Sequence, residues 1–399
     1  MIFLVTSFLF ASLSNHSGIT VILSLFSICP YLLVVLKRGA SFPKFTWHFV
    51  CLIFVTLSGF TFLLNLPNYK VAEEFDVAFL SNFVKYIILI VYIYIVSLIY
   101  INDREKVINA CKWVLITHIT IFFVQFLMAY MTGYYLDFVL PFIGEASRYK
   151  FYGVASSLEL YRCTGLFIEP STYAVSIYCL LIILKTKSSE FSVKLERFTL
   201  ASIFLSLSTI SIIIVILHYV VKFAPKIFNI KKLIPILFLV LLSLLGFTQT
   251  ELYSIQMEKI KNTSGIRFGL VDAVLERNEA LLIFGSGLYG IEERIIEGSK
   301  GHCAVGTDCG SQINRKYASP ADSGLLFYLF IKFGVFTLPI LICVVYPFLF
   351  SFEKIGLFSI LLVTKIQFAF PLIWLLVIML RENNERYSSS NEMAPTWRR

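Results

Sequence analysis

Apolar residues in this chain fall into long runs, and the charged residues are gathered between them. No Asp, Glu, Lys or Arg occurs from Phe45 to Tyr69, Trp113 to Leu136, Phe198 to Val221, Leu233 to Thr250 or Phe333 to Phe352. A helix crossing a bilayer needs about 20 mostly apolar residues, because the hydrocarbon core is about 30 Å thick. These runs show no alternation of period two, so helices are expected rather than a barrel. The pattern predicts segments near 2–14, 18–36, 47–66, 77–101, 113–133, 166–184, 233–250 and 324–350. Ile2–Leu13 has no basic residue before it, so it reads as a first membrane segment and not as a signal peptide. The run from Phe198 to Val221 raises a parity problem. Taken as one helix it would carry Lys222, Lys226, Lys231 and Lys232 across the membrane, so two short segments meeting at Ser208–Ser211 are expected. Ile355–Leu380, with Lys365 in its middle, divides in the same way. The expected fold is all-α: a polytopic transmembrane helical bundle of about 12 (10–12) segments with one long extracytoplasmic loop.

Composition agrees with this picture. The chain is 58% hydrophobic and 15% charged, with mean hydropathy +0.80, whereas soluble domains carry about a quarter charged residues. The net charge of +9 is informative through its distribution. The segments assigned to the cytoplasm (37–46, 102–112, 185–197, 221–232, 353–354 and the tail from Arg381) hold 19 of the 34 Lys and Arg. The loops assigned outside, 67–76, 134–165 and 251–323, are much longer in total and hold 12. This bias orients membrane proteins, so the basicity sets topology and implies no nucleic-acid partner. Residues 1–380 read as one integral membrane domain with extracytoplasmic loops 134–165 and 251–323. Residues 381–399 read as a disordered cytoplasmic tail. Within the long loop, Gly269–Ile283 reads as a short amphipathic helix.

Two stretches carry candidate chemistry. The first is Arg162-Cys-Thr-Gly-Leu-Phe-Ile-Glu169-Pro-Ser-Thr-Tyr-Ala174. Pro170 suits a first helical turn, and a carboxylate at a membrane boundary is costly unless it is paired or used. Arg162 and Glu169 are seven apart, so a helical approach would align them on one face. Glu169 is either a functional carboxylate or a cap or structural ion pair. The second stretch runs from Ser264-Gly265-Ile266-Arg267 through Arg277 and Phe284-Gly285-Ser286-Gly287-Leu288. It ends at Ser319-Pro-Ala-Asp322-Ser323-Gly324, where the chain returns to the membrane.

These motifs resemble, in content and order, the polysaccharide repeat-unit polymerases (Wzy-type) of the O-antigen polymerase and ligase superfamily. The shared features are an Arg-x-x-Gly-x-Phe-x-Glu-Pro-Ser element opening a mid-chain helix, a Ser-Gly-x-Arg element, a Phe-Gly-x-Gly element and an Asp-Ser-Gly return. The resemblance implies a glycosyltransferase of the bacterial inner membrane, with its site facing the periplasm. It would move a growing glycan from undecaprenyl diphosphate onto the next lipid-linked repeat unit, with inversion. Arg162 and Arg267 would hold the diphosphate, since guanidinium groups bind phosphate oxygens bidentately, with Arg277 a weaker candidate. Glu169 would be the general base. Asp322 is the alternative base or a helix cap. No Asp-x-Asp pair occurs in the chain, so metal-independent catalysis without a cofactor is expected. Partners implied are the lipid-linked oligosaccharide, the bilayer, a flippase and a chain-length co-polymerase. In the ligases that transfer finished glycan to lipid A core, the return position resembles a His-Asn pair. Here it reads Ala-Asp322-Ser323-Gly324, which favours polymerisation.

Other signals change the picture less. Gly285-Ser-Gly287-Leu-Tyr-Gly290 spells a dinucleotide loop, but it lies between membrane spans and not in a βαβ unit. Cys303 and Cys309 form a disulfide pinning the loop or remain free thiols. Tyr134, Tyr135, Tyr149, Tyr152 and Tyr161 form a sugar-stacking surface or an interfacial aromatic belt. A transporter is the competing class, but it should show internal repeats, and none is visible.

Overall fold

The structure is a computed structural model. It describes residues 1–13, 18–43, 46–65, 73–144, 146–150, 160–188, 191–227, 253, 274–277, 279–290, 324–345, 351–364, 366 and 368–380. Among the described residues the chain is all-helical. In order the elements are α1 (Ile2–Leu13), α2 (Gly18–Lys37), α3 (Thr46–Asn65), α4 (Glu73–Asn102), α5 (Arg104–Thr132), the short α6 (Leu140–Ile143), α7 (Pro170–Lys187), α8 (Val193–Leu205) and α9 (Thr209–Ile227). They continue with α10 (Glu279–Phe284), α11 (Leu325–Phe333), α12 (Thr337–Val345), α13 (Phe352–Leu362) and α14 (Pro371–Leu380).

Among the described residues, four helices are long and apolar enough to cross a membrane: Gly18–Lys37, Phe79–Asn102, Arg104–Thr132 and Leu325–Ile342. Their outward faces carry residues such as Ile19, Phe26, Leu80, Trp113, Met131 and Ile342, all more than half exposed. So much apolar surface facing outward calls for lipid rather than water, and the chain is a membrane protein. The long loop expected at 251–323 lies almost wholly outside the described residues, and the tail expected at 381–399 lies outside them entirely. What is described of residues 269–283 is not one helix: Val274 and Leu275 are helical, the chain turns at Glu276–Arg277, and α10 begins afresh at Glu279.

The bundle is organised around α7. Every residue from Thr172 to Leu184 is buried, and α5, α8, α9 and α13 pack around it. A helix apolar on all sides is stable only when neighbours enclose it. The run from Phe198 onwards is two helices. α8 ends at Leu205 and α9 begins at Thr209, with Leu207 between them in the left-handed region at φ 52°. The two form a hairpin, because Glu196 in the first turn of α8 meets Lys222 late in α9. Lys222 therefore lies on the same side of the bundle as Lys185, the outcome that the parity of the lysines required. The run 355–380 also breaks, at Val363–Phe370 between α13 and α14. The Thr364 carbonyl accepts from Leu325 N–H at 2.9 Å, so the first turn of α11 is joined to this break.

Glu196 ties the hairpin to α7. Its Oε1 accepts from Lys185 Nζ at 3.1 Å and lies 3.0 Å from His218 Nε2, while Oε2 accepts from Lys222 Nζ at 2.9 Å. Lys185 also bridges to Glu353 of α13 at 2.8 Å. Burial alone would raise the Glu196 carboxyl, but Lys222, His218 and Lys185 outweigh it and hold the group down at about 2. Since this lies below the ordinary carboxylate range, the stabilisation is fully present above about pH 4.5 and is lost as pH falls towards 2. Replacing Glu196 with Gln should cost about 1–3 kcal/mol, because it takes the enclosed charge away from partly buried lysines. Thermal unfolding of the purified protein in detergent would show this as a lowered midpoint at neutral pH that converges on the parent as the pH is lowered.

Candidate functional site

The segment from Tyr161 to Glu169 does not approach α7 as a helix. It passes down α5 as turns and bends, so Arg162 and Glu169 do not share a helical face as their spacing suggested. The Tyr130 hydroxyl accepts from Tyr161 N–H at 3.2 Å and donates to the Tyr161 carbonyl at 3.0 Å. Further along α5, Gln125 Oε1 accepts from Thr164 and Gly165 N–H at 2.9 and 2.8 Å. Beyond it, the His118 ring lies 5.2 Å from Phe167 and Phe122 stacks on Tyr173 at 4.8 Å. These α5 positions span roughly 18 Å of helix. The chain therefore dips into the bundle before α7 starts, and Glu169 stands inset from the rim. Buried main-chain groups in such a segment need partners, and Gln125 supplies two while donating to the Leu136 carbonyl at 2.8 Å.

Glu169 is the residue before α7, extended at φ −118°, ψ 139°, and its side chain does not cap the helix. One carboxylate oxygen is bound by the Arg148 guanidinium and the other accepts from Ser171 Oγ at 3.1 Å. Arg148 is held from its backbone. Its N–H donates to the Ile168 carbonyl at 2.7 Å, and the next carbonyl, Tyr149, accepts from Arg162 N–H at 2.7 Å. Asp137 anchors the start of the segment by accepting from Ser147 N–H at 2.7 Å. The Tyr149 ring stacks on Tyr135 with centroids 4.0 Å apart, and Tyr161 lies nearly parallel to both at 6.2 Å. Tyr135 meets Ser147 and Thr164 through its hydroxyl at 3.2 and 3.1 Å, and burial pushes its phenol well above the ordinary value. These tyrosines stack on each other, so they serve as the frame of the loop. Cys163 is buried beneath them, and burial pushes its thiol up to about 12, which removes it as a nucleophile at neutral pH.

The other candidates are distributed as follows. Arg162 is partly buried, with its Nε enclosed. Arg277 is buried and donates to the Ile331 carbonyl at 3.1 Å. Arg267, Asp322, Cys303 and Cys309 lie outside the described residues, as do Tyr152 and Lys365. Sequence reasoning missed Arg148 and Gln125. Arg148 lies 21 residues before its partner, where no helical period links them. The only hint was a basic residue beside an aromatic one in a loop leading to the Glu-Pro-Ser element.

The glycines at 285 and 287 have a structural role. The kink between α11 and α12 at Gly334 exposes main-chain carbonyls, and the loop fills them: Ser286 N–H donates to Ile331 at 3.1 Å and Gly287 N–H to Lys332 at 2.9 Å. A Cβ on Gly285 would lie 2.4 Å from the Lys332 main chain, whereas one on Gly287 would meet nothing within 4 Å. Lys332 itself is buried and donates to the Gly290 carbonyl.

No family model, curated protein or solved structure matches the chain.

Gln125→Leu should cost about 1–3 kcal/mol for each main-chain donor left without an acceptor. Hydrogen exchange should speed up at Thr164 and Gly165 while the middle of α7 stays protected. Gly285→Ala and Gly287→Ala both place a side chain at positive φ, a strain of about 1–2 kcal/mol. Only the Gly285 variant adds a backbone collision, so it should unfold at the lower temperature of the two.

Proposed function

We propose that the chain is a polysaccharide repeat-unit polymerase of a bacterial inner membrane. It would transfer a growing glycan from undecaprenyl diphosphate to the next lipid-linked unit. In this reading the bundle has about 12 segments. The end bearing Lys185, Glu196 and Lys222 faces the cytoplasm, and the end bearing Tyr130 and Tyr135 faces the periplasm. The observation that carries the proposal is the paired carboxylate of Glu169, inset at the start of the enclosed helix α7 beside a basic, aromatic-framed loop. That placement suits a reaction between two substrates whose reactive ends sit at the lipid boundary.

In the proposed step, the acceptor sugar hydroxyl attacks the anomeric carbon of the donor from the face opposite the diphosphate. Glu169 takes the hydroxyl proton as the new C–O bond forms. The bond from the anomeric carbon to the diphosphate oxygen breaks, and the electron pair leaves on the diphosphate. Guanidinium groups of Arg162 and Arg267 stabilise that leaving charge, and Arg277 is the third basic candidate. Asp322 is the alternative base. The lack of a His-Asn pair at the return to the membrane favours polymerisation over ligation to lipid A core. A flippase would deliver the units, and a separate co-polymerase would set chain length.

Loss of a general base typically costs 10²–10⁴-fold in rate, and loss of a charge-stabilising donor about 10²–10³-fold. Cells carrying Glu169→Gln, Arg162→Ala or Arg267→Ala at normal protein levels should make surface glycan with single repeats and no long chains. Long-chain glycan from any of these variants would remove that residue from the mechanism. Loss of single repeats as well would point to ligation, and depletion of all outward-facing lipid-linked units to transport.

A further inference from the structure

The ion pair between Arg148 and Glu169 differs from the pairs made by Glu196 in how open its carboxylate is. The Glu196 carboxylate is enclosed, with a side-chain exposure of 5%, whereas Arg148 and Glu169 keep 35% and 25%. Water and solutes therefore reach this pair. The backbone of Arg148 is nevertheless fixed on every side. Ser147 is tied to Asp137, Arg148 N–H to Ile168, the Tyr149 carbonyl to Arg162 N–H, and the Tyr149 ring to Tyr135. An exposed guanidinium on a flexible loop would lose much side-chain freedom on pairing, which is why most surface pairs contribute little. Here the loop carries that ordering already, so the guanidinium is delivered to one carboxylate oxygen while Ser171 orients the other.

We propose that Arg148 is the positioning residue of this site: held by the Tyr135–Tyr149 stack, it keeps Glu169 ionised and oriented for proton transfer. This role rests on the polymerase reading for its chemistry, but the pairing itself does not. A base must be ionised to accept a proton, and a carboxylate placed at an apolar boundary tends to take one up. A cation at contact distance reverses that tendency. Arg148 acts through Glu169, and nothing in the argument requires it to touch substrate. The ionisable groups described around the segment are Asp137, Lys150, Arg162, Cys163, His118, Tyr135, Tyr149 and Tyr161. Asp137 helps to hold the segment, so the control is a carboxylate remote from it: Asp103, paired with Lys106 at the other end of α5, as Asp103→Asn.

The test uses the full-length protein purified into lipid nanodiscs. Infrared titration of the parent minus Glu169→Gln isolates the carboxyl band of Glu169. Arg148→Gln should move protonation of that band upward by about one to two pH units, the scale of removing an opposite charge at contact. Arg148→Lys should restore most of the shift. Tyr149→Phe should leave the band unmoved, and Tyr149→Leu should shift it in the same direction as Arg148→Gln. Asp103→Asn should not move it. A band that titrates alike in parent and Arg148→Gln overturns the inference, whatever the protein catalyses.

A second arm separates this from the polymerase reading. Nanodiscs are supplied with lipid-linked repeat units extracted from a strain deleted for the gene. The acidic limb of polymer formation should move with the infrared band in Arg148→Gln. A shifted band with no polymer formed even by the parent overturns the polymerase reading and leaves the pairing standing. A shifted band with an unmoved acidic limb overturns the positioning role, since the carboxylate that Arg148 controls would not be the base.

Discussion

A helix buried in a membrane protein meets one constraint at each end: main-chain and charged groups leaving the helix must find partners inside the protein, because lipid offers none. α7 meets it at both ends, by different means. At one end Lys185 enters a network with Glu196 of α8 and Glu353 of α13, and Lys222 and His218 of α9 complete it. At the other, Gln125 of α5 satisfies the chain that descends to α7, and Arg148 satisfies the carboxylate that precedes it. The hairpin of α8 and α9, the inset start of α7 and the ordered loop above it all follow from enclosing this one helix.

The two ends differ in exposure, and that difference assigns them different work. The Glu196 carboxylate is enclosed and its network joins four helices, so it resists change and holds the bundle together. The Arg148–Glu169 pair is partly open and held by one loop, so it can respond to what approaches. Stacked tyrosines give the described part of that loop its rigidity. Aromatic rings stack with little side-chain entropy to lose, and main-chain hydrogen bonds close the rest of the turn.

The kink at Gly334 obeys the same accounting on a smaller scale. Breaking a helix in an apolar setting frees carbonyls, and here Ser286, Gly287 and Arg277 occupy them. The Gly-Ser-Gly element is thus shaped by contact with another backbone, where a side chain at position 285 has no room. A spelling shared with nucleotide loops arises from the same physical need, close approach of main chain, applied to a helix instead of a phosphate.

Long charge-free runs and clustered lysines were enough to establish a helical membrane protein and to require a break after Phe198, because hydrophobic length and charge parity are properties of the chain itself. The Glu-Pro-Ser element also marked the start of α7 unaided, since proline suits a first helical turn, where its missing N–H costs nothing. The path between Arg162 and Glu169 was beyond that kind of reasoning. Seven residues admit one helical face or a descent along α5, and only Gln125 and Tyr130, far off in sequence, select the descent. The partner of Glu169 was likewise decided by the tertiary structure. Arg148 reaches it through a loop ordered by ring stacking and main-chain bonds, and such contacts leave no period in the sequence to read.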